Sequence, residues 1–269
     1  MSELKDYEMQ DVPNWCVGCG NIGILAALKQ AFVKLGNPQE MNVVVSEIGC
    51  SSKLPYWIRV NAFDGLHGRT LPVAQAVKLA NNNLNVVGIS GDGGAYGEGG
   101  NHFIAACRRN INMTYLVHNN QVFALTTGQY SPTSERGYVS KTSPQGSTEQ
   151  PYNPLVTAIA SGATFVARGF AWRVPHLTEL IVAAMKHKGF AIIDIIQPCV
   201  TWKKYHEIEK KVYELEKTGY KPVSKDEAIK LAMDEERIAI GILYDKAEQI
   251  LEHTAEHKPE IDDIMPQYY

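Results

Sequence analysis

Residues 85–120 read NVVGISGDGGAYGEGGNHFIAACRRNINMTYLVHNN, and this stretch predicts the fold of the chain. It holds two short apolar runs, at 85–90 and 113–118, with a helical pattern at 101–109 between them. Short β-branched runs bounded by turn residues are typical of buried strands, and two such strands joined by a helix are typical of a parallel sheet. The stretch therefore predicts a βαβ unit.

Polar residues follow both predicted strands. Asp92 lies in Gly91-Asp92-Gly93 directly after the first strand, and Asn120 follows the second. A carboxylate and an amide oxygen suit a hard cation such as Mg²⁺. Glycines such as Gly93 and Gly94 let backbone N–H groups approach phosphate oxygens, because no Cβ stands in the way. These residues together predict a magnesium diphosphate site.

The same alternation of strand and helix runs along most of the chain, interrupted by a long polar loop at 126–154. It predicts an α/β fold with a mostly parallel sheet flanked by helices. From residue 203 the pattern becomes charged and helical, with one strand-like run, so we expect a domain at 1–202 and a C-terminal extension at 203–269 that packs on that domain or on a partner. Helices are predicted at 22–35, 72–82, 154–161 and 176–188, and strands at 42–46, 164–167, 190–196 and 238–243.

Composition limits the class of protein. The chain has 269 residues, of which 45% are hydrophobic and 20% charged, so it can bury a substantial core. Its net charge of -3 and the lack of a Lys/Arg run argue against nucleic acid as the main partner. No apolar stretch reaches ~18 residues, and the first ten residues do not have the layout of a signal peptide. The sequence therefore predicts a cytoplasmic protein that does not enter a membrane.

The cysteines form a second pattern. Cys16 and Cys19 make a CxxC motif, while Cys50 and Cys199 each follow a predicted strand. Four thiolates from loops can hold zinc or a 4Fe-4S cluster, and the spacing alone leaves zinc, a cluster and unrelated thiols equally open. Cys107 lies within a predicted helix, where a free cysteine is usually a small apolar core residue.

Several segments together closely resemble one family. In order, they resemble the β subunit of the 2-oxoacid:ferredoxin oxidoreductases, which include pyruvate and 2-oxoglutarate synthases, and the likeness covers roughly residues 12–205. The matching segments are PNWCVGCGNIG, IGCSSKLPYW, LHGRTLPVA, GDGGAYGEGGNHFIAACRRNI, NNQVFALTTGQYSPTS and IIQPCVTW.

This resemblance implies the cofactors and their ligands. Thiamine diphosphate and Mg²⁺ are expected at the glycine-rich site, and one 4Fe-4S cluster is expected on the four loop cysteines. A cluster beside thiamine diphosphate would make the chemistry oxidative, because zinc cannot accept electrons. The implied cluster ligands are Cys16, Cys19, Cys50 and Cys199, and the implied magnesium contacts are Asp92, Asn120 and Val122.

The resemblance also implies the reaction and the partners. A 2-oxo acid, 2-oxoglutarate or pyruvate, is decarboxylated oxidatively, coenzyme A takes the acyl group as cosubstrate, and ferredoxin takes the electrons. The glutamate that activates the cofactor's aminopyrimidine is expected on a separate α subunit, with or without γ and δ subunits. The isolated chain is therefore expected to decarboxylate nothing.

Further site residues carry both a functional and a simpler interpretation. His67 and Arg69 are predicted to contact the diphosphate or the substrate carboxylate, but they also suit an exposed basic turn. Lys53 is predicted to anchor the substrate carboxylate, although lysine is most often exposed. These three are the candidate catalytic residues. The remaining candidate cofactor-binding residues are Ser51, Ser52, Leu125 and Thr126, together with Val122; the segment 122–125 and Lys53 are also candidates for contacting the far end of the substrate.

The chain departs from the family pattern at three positions. Gly94 stands where the family often has a second acidic residue, Glu98 where it often has an apolar one, and Glu47 where it often has glycine. Asp92 is then expected to carry the carboxylate ligation alone. Two other functions stay open from the residues: half of a non-oxidative thiamine diphosphate decarboxylase or synthase, and a zinc-binding scaffold without enzymatic activity.

Overall fold

The computed structural model describes residues 3–203 and 205–251. An eight-stranded sheet runs through the molecule in the order β2-β1-β3-β4-β8-β7-β10-β9, and every neighbouring pair is parallel except β7 and β10. A separate antiparallel hairpin is formed by β5 and β6. The strands are β1 (Asn42–Ser46), β2 (Asn61–Asp64), β3 (Asn85–Gly91), β4 (Met113–Asn119), β5 (Val122–Phe123), β6 (Gln129–Tyr130), β7 (Phe165–Phe170), β8 (Phe190–Ile196), β9 (Val212–Glu214) and β10 (Ile238–Asp245).

Helices cover both faces of the sheet. The central strands are apolar along their length because side chains on both sides are buried. Val44 faces the core formed with α1 and α5, whereas its neighbours Val43 and Val45 face the core formed with α2, α3 and α4. The helices are α1 (Gly20–Leu35), α2 (Thr70–Ala80), α3 (Gly100–Arg109), α4 (Pro154–Ala160), α5 (Val174–Lys186), α6 (His206–Lys211) and α7 (Lys225–Met233).

The predicted fold class is confirmed, and most helix and strand bounds agree within two residues. Helices α2 and α5 begin before the points where the sequence placed their starts, at 72 and 176. Proline is tolerated in the first turn of a helix, where its missing N–H has no partner to lose, so Pro72 and Pro175 lie inside these helices.

Two short elements were not predicted. Strand β2 pairs in parallel with β1 at the edge of the sheet, but its four residues are all exposed and give no hydrophobic pattern. Strand β6 lies inside the segment 126–154, which the sequence placed as a loop. Both elements are recognisable only by their pairing with a neighbouring strand.

The described part of the C-terminal segment packs on the domain itself. The strand-like run at 238–243 is part of β10, which pairs antiparallel with β7, and α7 packs on β10. The domain boundary after residue 202 stays a prediction, and residues 252–269 of the extension lie outside the described residues. Within the described ranges, no helix combines the length and the apolar character that crossing a membrane requires.

Candidate cofactor and cysteine sites

A cavity of about 490 Å³ opens where the carboxyl ends of β1, β3 and β4 meet. Ligands of open α/β sheets bind at this edge, because the loops that leave the strands converge there. Most of the predicted cofactor-binding residues face this one space. The lining residues are Ile48, Gly49, Cys50, Ser51, His67, Gly91, Asp92, Gly93, Gly94, Asn120, Val122, Phe123, Ala124, Leu125 and Thr126.

Asp92 is the most deeply buried acid of this cavity. Its carboxyl group is 1% exposed and accepts hydrogen bonds from the Ser131 hydroxyl and, at 2.6 Å, from the Thr133 hydroxyl. Burial raises the pKa of Asp92 to about 6, and the two hydroxyl donors oppose that rise. A carboxylate that is oriented but costly to ionise gains from a nearby cation, so Asp92 fits a magnesium ligand.

Asn120 is held beside Asp92 by its own loop. Its side-chain carbonyl accepts the backbone N–H of Val122 at 3.0 Å, and its main-chain carbonyl accepts the Tyr205 hydroxyl at 2.7 Å. An amide oxygen has two lone pairs, so the bond to Val122 leaves one for a cation. Asp92, Asn120 and Val122 therefore line one cavity with oxygen atoms of the type that Mg²⁺ prefers.

Two glycines of the Gly91–Gly94 segment are required by close packing. A Cβ at Gly93 would lie 2.2 Å from the Phe123 ring, and a Cβ at Gly94 would lie 2.0 Å from the Glu47 carboxyl group. A turn of π-helix spans Gly93–Glu98 and begins directly after Asp92. The first N–H groups of such a turn have no acceptor within it, which makes them available to a diphosphate.

A polar network supports Asp92 from behind. The Thr133 hydroxyl lies 2.9 Å from the Asn119 side-chain oxygen, and the Asn119 amide donates to both carboxylate oxygens of Asp194 at 3.2 Å. The Tyr96 hydroxyl donates to Asp194 at 2.8 Å. Burial raises the pKa of Asp194. These contacts fix the ends of β4 and β8 and thereby the position of Asp92.

The three candidate catalytic residues have different environments. His67 lines the cavity, and its ring meets the Phe123 ring edge-on with the centroids 6.1 Å apart. The Arg69 guanidinium donates to the carbonyls of Gly68 and Glu98, both at 3.3 Å, and it lies outside the cavity lining. Lys53 also lies outside the lining, near enough to Cys50 to influence its charge. Catalytic roles for all three stay predictions.

Two of the predicted serines differ in the same way. Ser51 lines the cavity, where its hydroxyl would be 3.2 Å from a Cβ at Gly91. Ser52 is buried outside the lining, and among the described residues its hydroxyl has no hydrogen-bond partner. Its carbonyl accepts the Ser46 hydroxyl at 3.0 Å, which fixes the loop after β1.

The three loops that carry the four predicted cluster ligands are tied together. The Trp15 indole N–H donates to the Cys50 carbonyl at 2.7 Å, and the Gly20 N–H donates to the Pro198 carbonyl at 3.0 Å. A Cβ at Gly20 would lie 2.8 Å from Pro198, so glycine is needed for this approach. The CxxC loop is thus joined to the Cys50 loop on one side and to the Cys199 loop on the other.

The four thiols lie within electrostatic reach of one another. Each of the six pairs among Cys16, Cys19, Cys50 and Cys199 shows mutual repulsion of the charged forms. Burial, with this repulsion, raises the pKa of Cys19 to about 11 and raises the pKa of Cys50 and Cys199. Four crowded thiols of this kind become thiolates when a cationic centre neutralises them, so the donor set fits a metal cluster.

The thiols do not form a finished metal site by themselves. Among the described residues, no three potential ligands stand together closely enough to hold a metal ion. Cys16 is exposed and contacts the Thr201 hydroxyl at 3.3 Å, while Cys199 is buried. Cys107 lies apart in α3 with no exposed surface, as expected for a core residue, and burial raises the pKa of its thiol.

Sequence reasoning missed several residues that shape the site. Phe123 closes one wall of the cavity, and Ser131 and Thr133 orient Asp92. The signal for these residues was present, because all three lie in the NNQVFALTTGQYSPTS segment that carries the resemblance. The contact of Glu47 with Gly94 gave no signal, since these residues lie far apart in the sequence.

Comparison with known protein families defines the class. Residues 42–195 match the model described as the thiamine pyrophosphate enzyme C-terminal TPP-binding domain, which includes both Asp92 and Asn120. Residues 199–259 match the model described as the C-terminal part of the pyruvate ferredoxin oxidoreductase β subunit. The fold and the cavity are therefore those of a thiamine pyrophosphate enzyme.

Individual relatives narrow this class. The chain is 45% identical over 247 residues to a Sulfolobus 2-oxoacid:ferredoxin oxidoreductase subunit beta, covering 86% of this chain and 81% of the relative. It is 43% identical to the 2-oxoglutarate synthase subunit KorB of Archaeoglobus fulgidus, covering 74% and 75%. The chain belongs to the β subunits of the 2-oxoacid:ferredoxin oxidoreductases.

A solved structure agrees with this assignment. A chain of the 2-oxoglutarate:ferredoxin oxidoreductase from Magnetococcus marinus, with 2-oxoglutarate, coenzyme A and succinyl-CoA bound, superposes with a TM-score of 0.89. The two sequences are 32% identical, and the match covers 100% of this chain and 96% of the other. The predicted family and fold are thereby confirmed, and the name β subunit implies an α partner.

Proposed function

We propose that this chain, in complex with an α subunit, catalyses the oxidative decarboxylation of a 2-oxo acid with coenzyme A and ferredoxin. The acid loses carbon dioxide, the coenzyme A thiol takes the acyl group and releases one proton, and two electrons pass to ferredoxin. The observation that carries the proposal is the cavity holding Asp92 and Asn120 beside a loop that also presents Cys50.

Thiamine diphosphate and Mg²⁺ belong to this cavity in the proposal. Asp92, Asn120 and Val122 hold the cation, and the backbone of Gly91, Gly93 and Gly94 lies against the diphosphate. The supporting observations are the oriented carboxylate of Asp92, the fixed amide of Asn120 and the match to a TPP-binding domain. His67, Leu125 and Thr126 complete the wall from the other loops.

One 4Fe-4S cluster belongs to the neighbouring loops. Cys16, Cys19, Cys50 and Cys199 are its proposed ligands, supported by the hydrogen bonds that join their loops and by the mutual repulsion of their thiols. Backbone N–H groups of Thr201 and Trp202 point at the Cys199 sulfur and favour its thiolate form. Such donors stabilise a thiolate that ligates iron.

The chain's residues bind, orient and shield in this reaction. Thiamine diphosphate, when bound, supplies the carbanion chemistry, and a 4Fe-4S cluster supplies one-electron transfer. Asp92 and Asn120 position the cation that neutralises the diphosphate, and Phe123 and Leu125 exclude water from the wall of the cavity. Cys50 lies in the lining of the cavity, so the proposed cluster ligand is adjacent to the cofactor space.

The proposed substrate is 2-oxoglutarate, with pyruvate as the other candidate. Support comes from the relatives named 2-oxoglutarate synthase subunits and from the Magnetococcus structure, which contains 2-oxoglutarate, coenzyme A and succinyl-CoA. Lys53 and the segment 122–125 are the proposed contributions of this chain to substrate selection. The α subunit supplies the rest of the site and the glutamate that activates the cofactor.

A substrate panel tests the proposal. The complex of this chain with its α subunit, prepared anaerobically, is assayed with several 2-oxo acids, coenzyme A and a viologen electron acceptor. We expect viologen reduction that requires both the 2-oxo acid and coenzyme A, with 2-oxoglutarate giving the highest kcat/KM. Carbon dioxide release without viologen reduction would instead indicate a non-oxidative decarboxylase. A colourless complex that contains zinc would also overturn the proposal.

A further inference from the structure

Glu47 is a buried acid that the proposed mechanism does not use. It follows β1, is 1% exposed and lies behind the cavity lining rather than in it. One carboxyl oxygen accepts the Gly68 N–H, whereas the other is buried without a hydrogen-bond partner among the described residues. A buried carboxyl group with one unpaired oxygen is costly, which indicates a role beyond packing.

The carboxyl group of Glu47 fills the space that a side chain at position 94 would need. A Cβ at Gly94 would lie 2.0 Å from one carboxyl oxygen, 2.5 Å from the other and 2.5 Å from the carboxyl carbon. An aspartate at this position would place its own carboxyl carbon about 1.5 Å beyond that Cβ, within the same volume. Two departures from the family pattern therefore meet at one point, and only one of the two positions can supply a carboxyl group there.

This carboxyl group faces His67, which lines the cavity. The Nδ1 atom of His67 lies 3.8 Å from Glu47, and its Nε2 atom lies 3.4 Å from the half-exposed Glu98. The Nδ1 atom is buried and has no hydrogen-bond partner among the described residues. A carboxyl group on each side of the ring restricts its rotation, because each ring nitrogen is turned to its own acid.

We propose that Glu47 is a positioning residue for the cofactor cavity: it supplies, from the end of β1, the carboxyl group that Gly94 lacks, and this group orients His67 in the cavity wall. The proposal rests on the proposed function, because the effect is exerted on the bound thiamine diphosphate. Glu47 itself touches neither cofactor nor substrate. Its contribution passes through His67 and through the Gly68 N–H.

The test moves the carboxyl group from one position to the other. The dissociation constant of thiamine diphosphate with Mg²⁺ is measured calorimetrically on the full complex for Glu47→Gly, Glu47→Gly/Gly94→Asp and Glu47→Gly/Gly94→Asn. We expect the single variant to bind about tenfold more weakly, which matches the loss of one hydrogen-bonding partner of a charged group. The double variant with Gly94→Asp should recover most of that loss, and the double variant with Gly94→Asn should not.

Matched glycine variants check the steric part. Gly94→Ala pushes the Glu47 carboxyl group away and is expected to weaken binding like Glu47→Gly. Gly100→Ala is the control, because a Cβ at Gly100 meets nothing within 4 Å. We expect it to bind the cofactor like the unaltered complex. Equal effects of the two alanine variants would contradict the proposed contact.

A double-mutant cycle checks that His67 transmits the effect. Glu47→Gln should weaken binding in the unaltered complex but change it less than about twofold in the His67→Asn background, because the coupled group is absent there. Equal effects in both backgrounds would overturn the positioning role, and so would equal recovery by the Gly94→Asp and Gly94→Asn double variants. If the unaltered complex binds no thiamine diphosphate, the proposed function fails as well. If it binds normally and only the exchange fails, the positioning role alone is wrong.

Discussion

The cofactor cavity and the cysteine site lie at the same edge of the sheet, but they are built to different degrees. Asp92 and Asn120 are buried and held by hydrogen bonds from Thr133, Val122 and Tyr205. The four cysteines come from three loops, and one of them, Cys16, is exposed. The comparison indicates that the sheet preorganises the diphosphate site, whereas the cysteine site is completed by its metal.

The two regions are also joined. The Trp202 ring covers Gly128, where a Cβ would lie 2.5 Å from it, and its indole N–H donates to the Ala124 carbonyl at 3.0 Å. Trp202 follows the proposed ligand Cys199, and Ala124 lines the cavity. The loop of one site thus supports the loop of the other. Variants that remove one site while sparing the other show how far the two are independent.

Removing a cysteine ligand has the largest expected effect. Cys50→Ala should abolish viologen reduction by the complex and remove its iron and sulfide, since three thiolates leave the cluster without one ligand. Thiamine diphosphate should still bind, because Asp92 and Asn120 are untouched. Activity, metal content and cofactor content are measured on the same preparation.

Cys107→Ala is the matched control for this variant. Cys107 is buried in α3 away from the other thiols, so its replacement should cost some stability and leave the iron content unchanged. Loss of iron from Cys107→Ala, or retention of iron by Cys50→Ala, would contradict the division of the cysteines.

Removing the acid of the cavity should produce the reverse pattern. Asp92→Ala is expected to weaken thiamine diphosphate binding at least about a hundredfold, because the cation loses its only proposed carboxylate and the diphosphate charge is left without it. The iron content should remain that of the unaltered complex. Calorimetry of cofactor binding together with iron analysis measures both. Simultaneous loss of iron would show that the two regions form one cooperative site.

A tryptophan pair sharpens the comparison at the cysteine loops. Trp15→Phe removes the indole donor to the Cys50 carbonyl and should speed the loss of iron to a chelator about threefold to tenfold, as expected for one net hydrogen bond. Trp57→Phe is its matched control. The Trp57 indole N–H is buried without a partner among the described residues, and its ring packs edge-on against Trp15. Equal rates of iron loss for both variants would show that ring packing, not the hydrogen bond, ties the loops.

The smallest expected effect concerns pH. Burial raises the pKa of Glu47 to about 8, with its usual value near 4.5 applying to the unfolded chain. The folded chain then holds a proton that the unfolded chain releases, so this contribution to stability is complete below about pH 4.5 and is lost as pH rises to about 8. His67 and Glu98 are the charged groups that face Glu47 most closely.

Replacing Glu47 should therefore flatten the pH dependence of stability. Between pH 5 and 8, the unaltered chain is expected to lose up to on the order of 1 kcal/mol of unfolding free energy per pH unit relative to Glu47→Gln. Thermal unfolding of both complexes at four pH values in this range measures the difference. A difference that is constant with pH would contradict the raised pKa of Glu47.

The sequence predicted the sheet and the cavity better than the details between them. Strands such as β1 and β8 were placed correctly because they are buried on both faces and carry continuous apolar runs. The edge strand β2 was missed because its stability comes from pairing with β1 and not from a hydrophobic pattern. Residue spacing placed Asp92 and Asn120 in one site because parallel strands end at a common edge.

Contacts between distant segments account for what the sequence did not predict. The sequence argued that Gly94 admits a phosphate, whereas its close neighbour is the Glu47 carboxyl group. Arg69 was predicted to contact the diphosphate or the substrate, whereas its guanidinium donates to two backbone carbonyls. The alternation of residue types along a segment carries no information about such neighbours. Their positions follow only from the packing of the loops at the edge of the sheet.

The most direct test of the account is electron paramagnetic resonance of the complex under strictly anaerobic conditions. The central claim is that this chain holds thiamine diphosphate and a 4Fe-4S cluster side by side for one oxidative reaction. We predict that 2-oxoglutarate and coenzyme A together produce the signal of a reduced cluster, and that this signal is missing from Asp92→Ala and from Cys50→Ala. A signal that persists in Cys50→Ala, or a complex whose cysteines hold zinc and give no signal, would contradict the account.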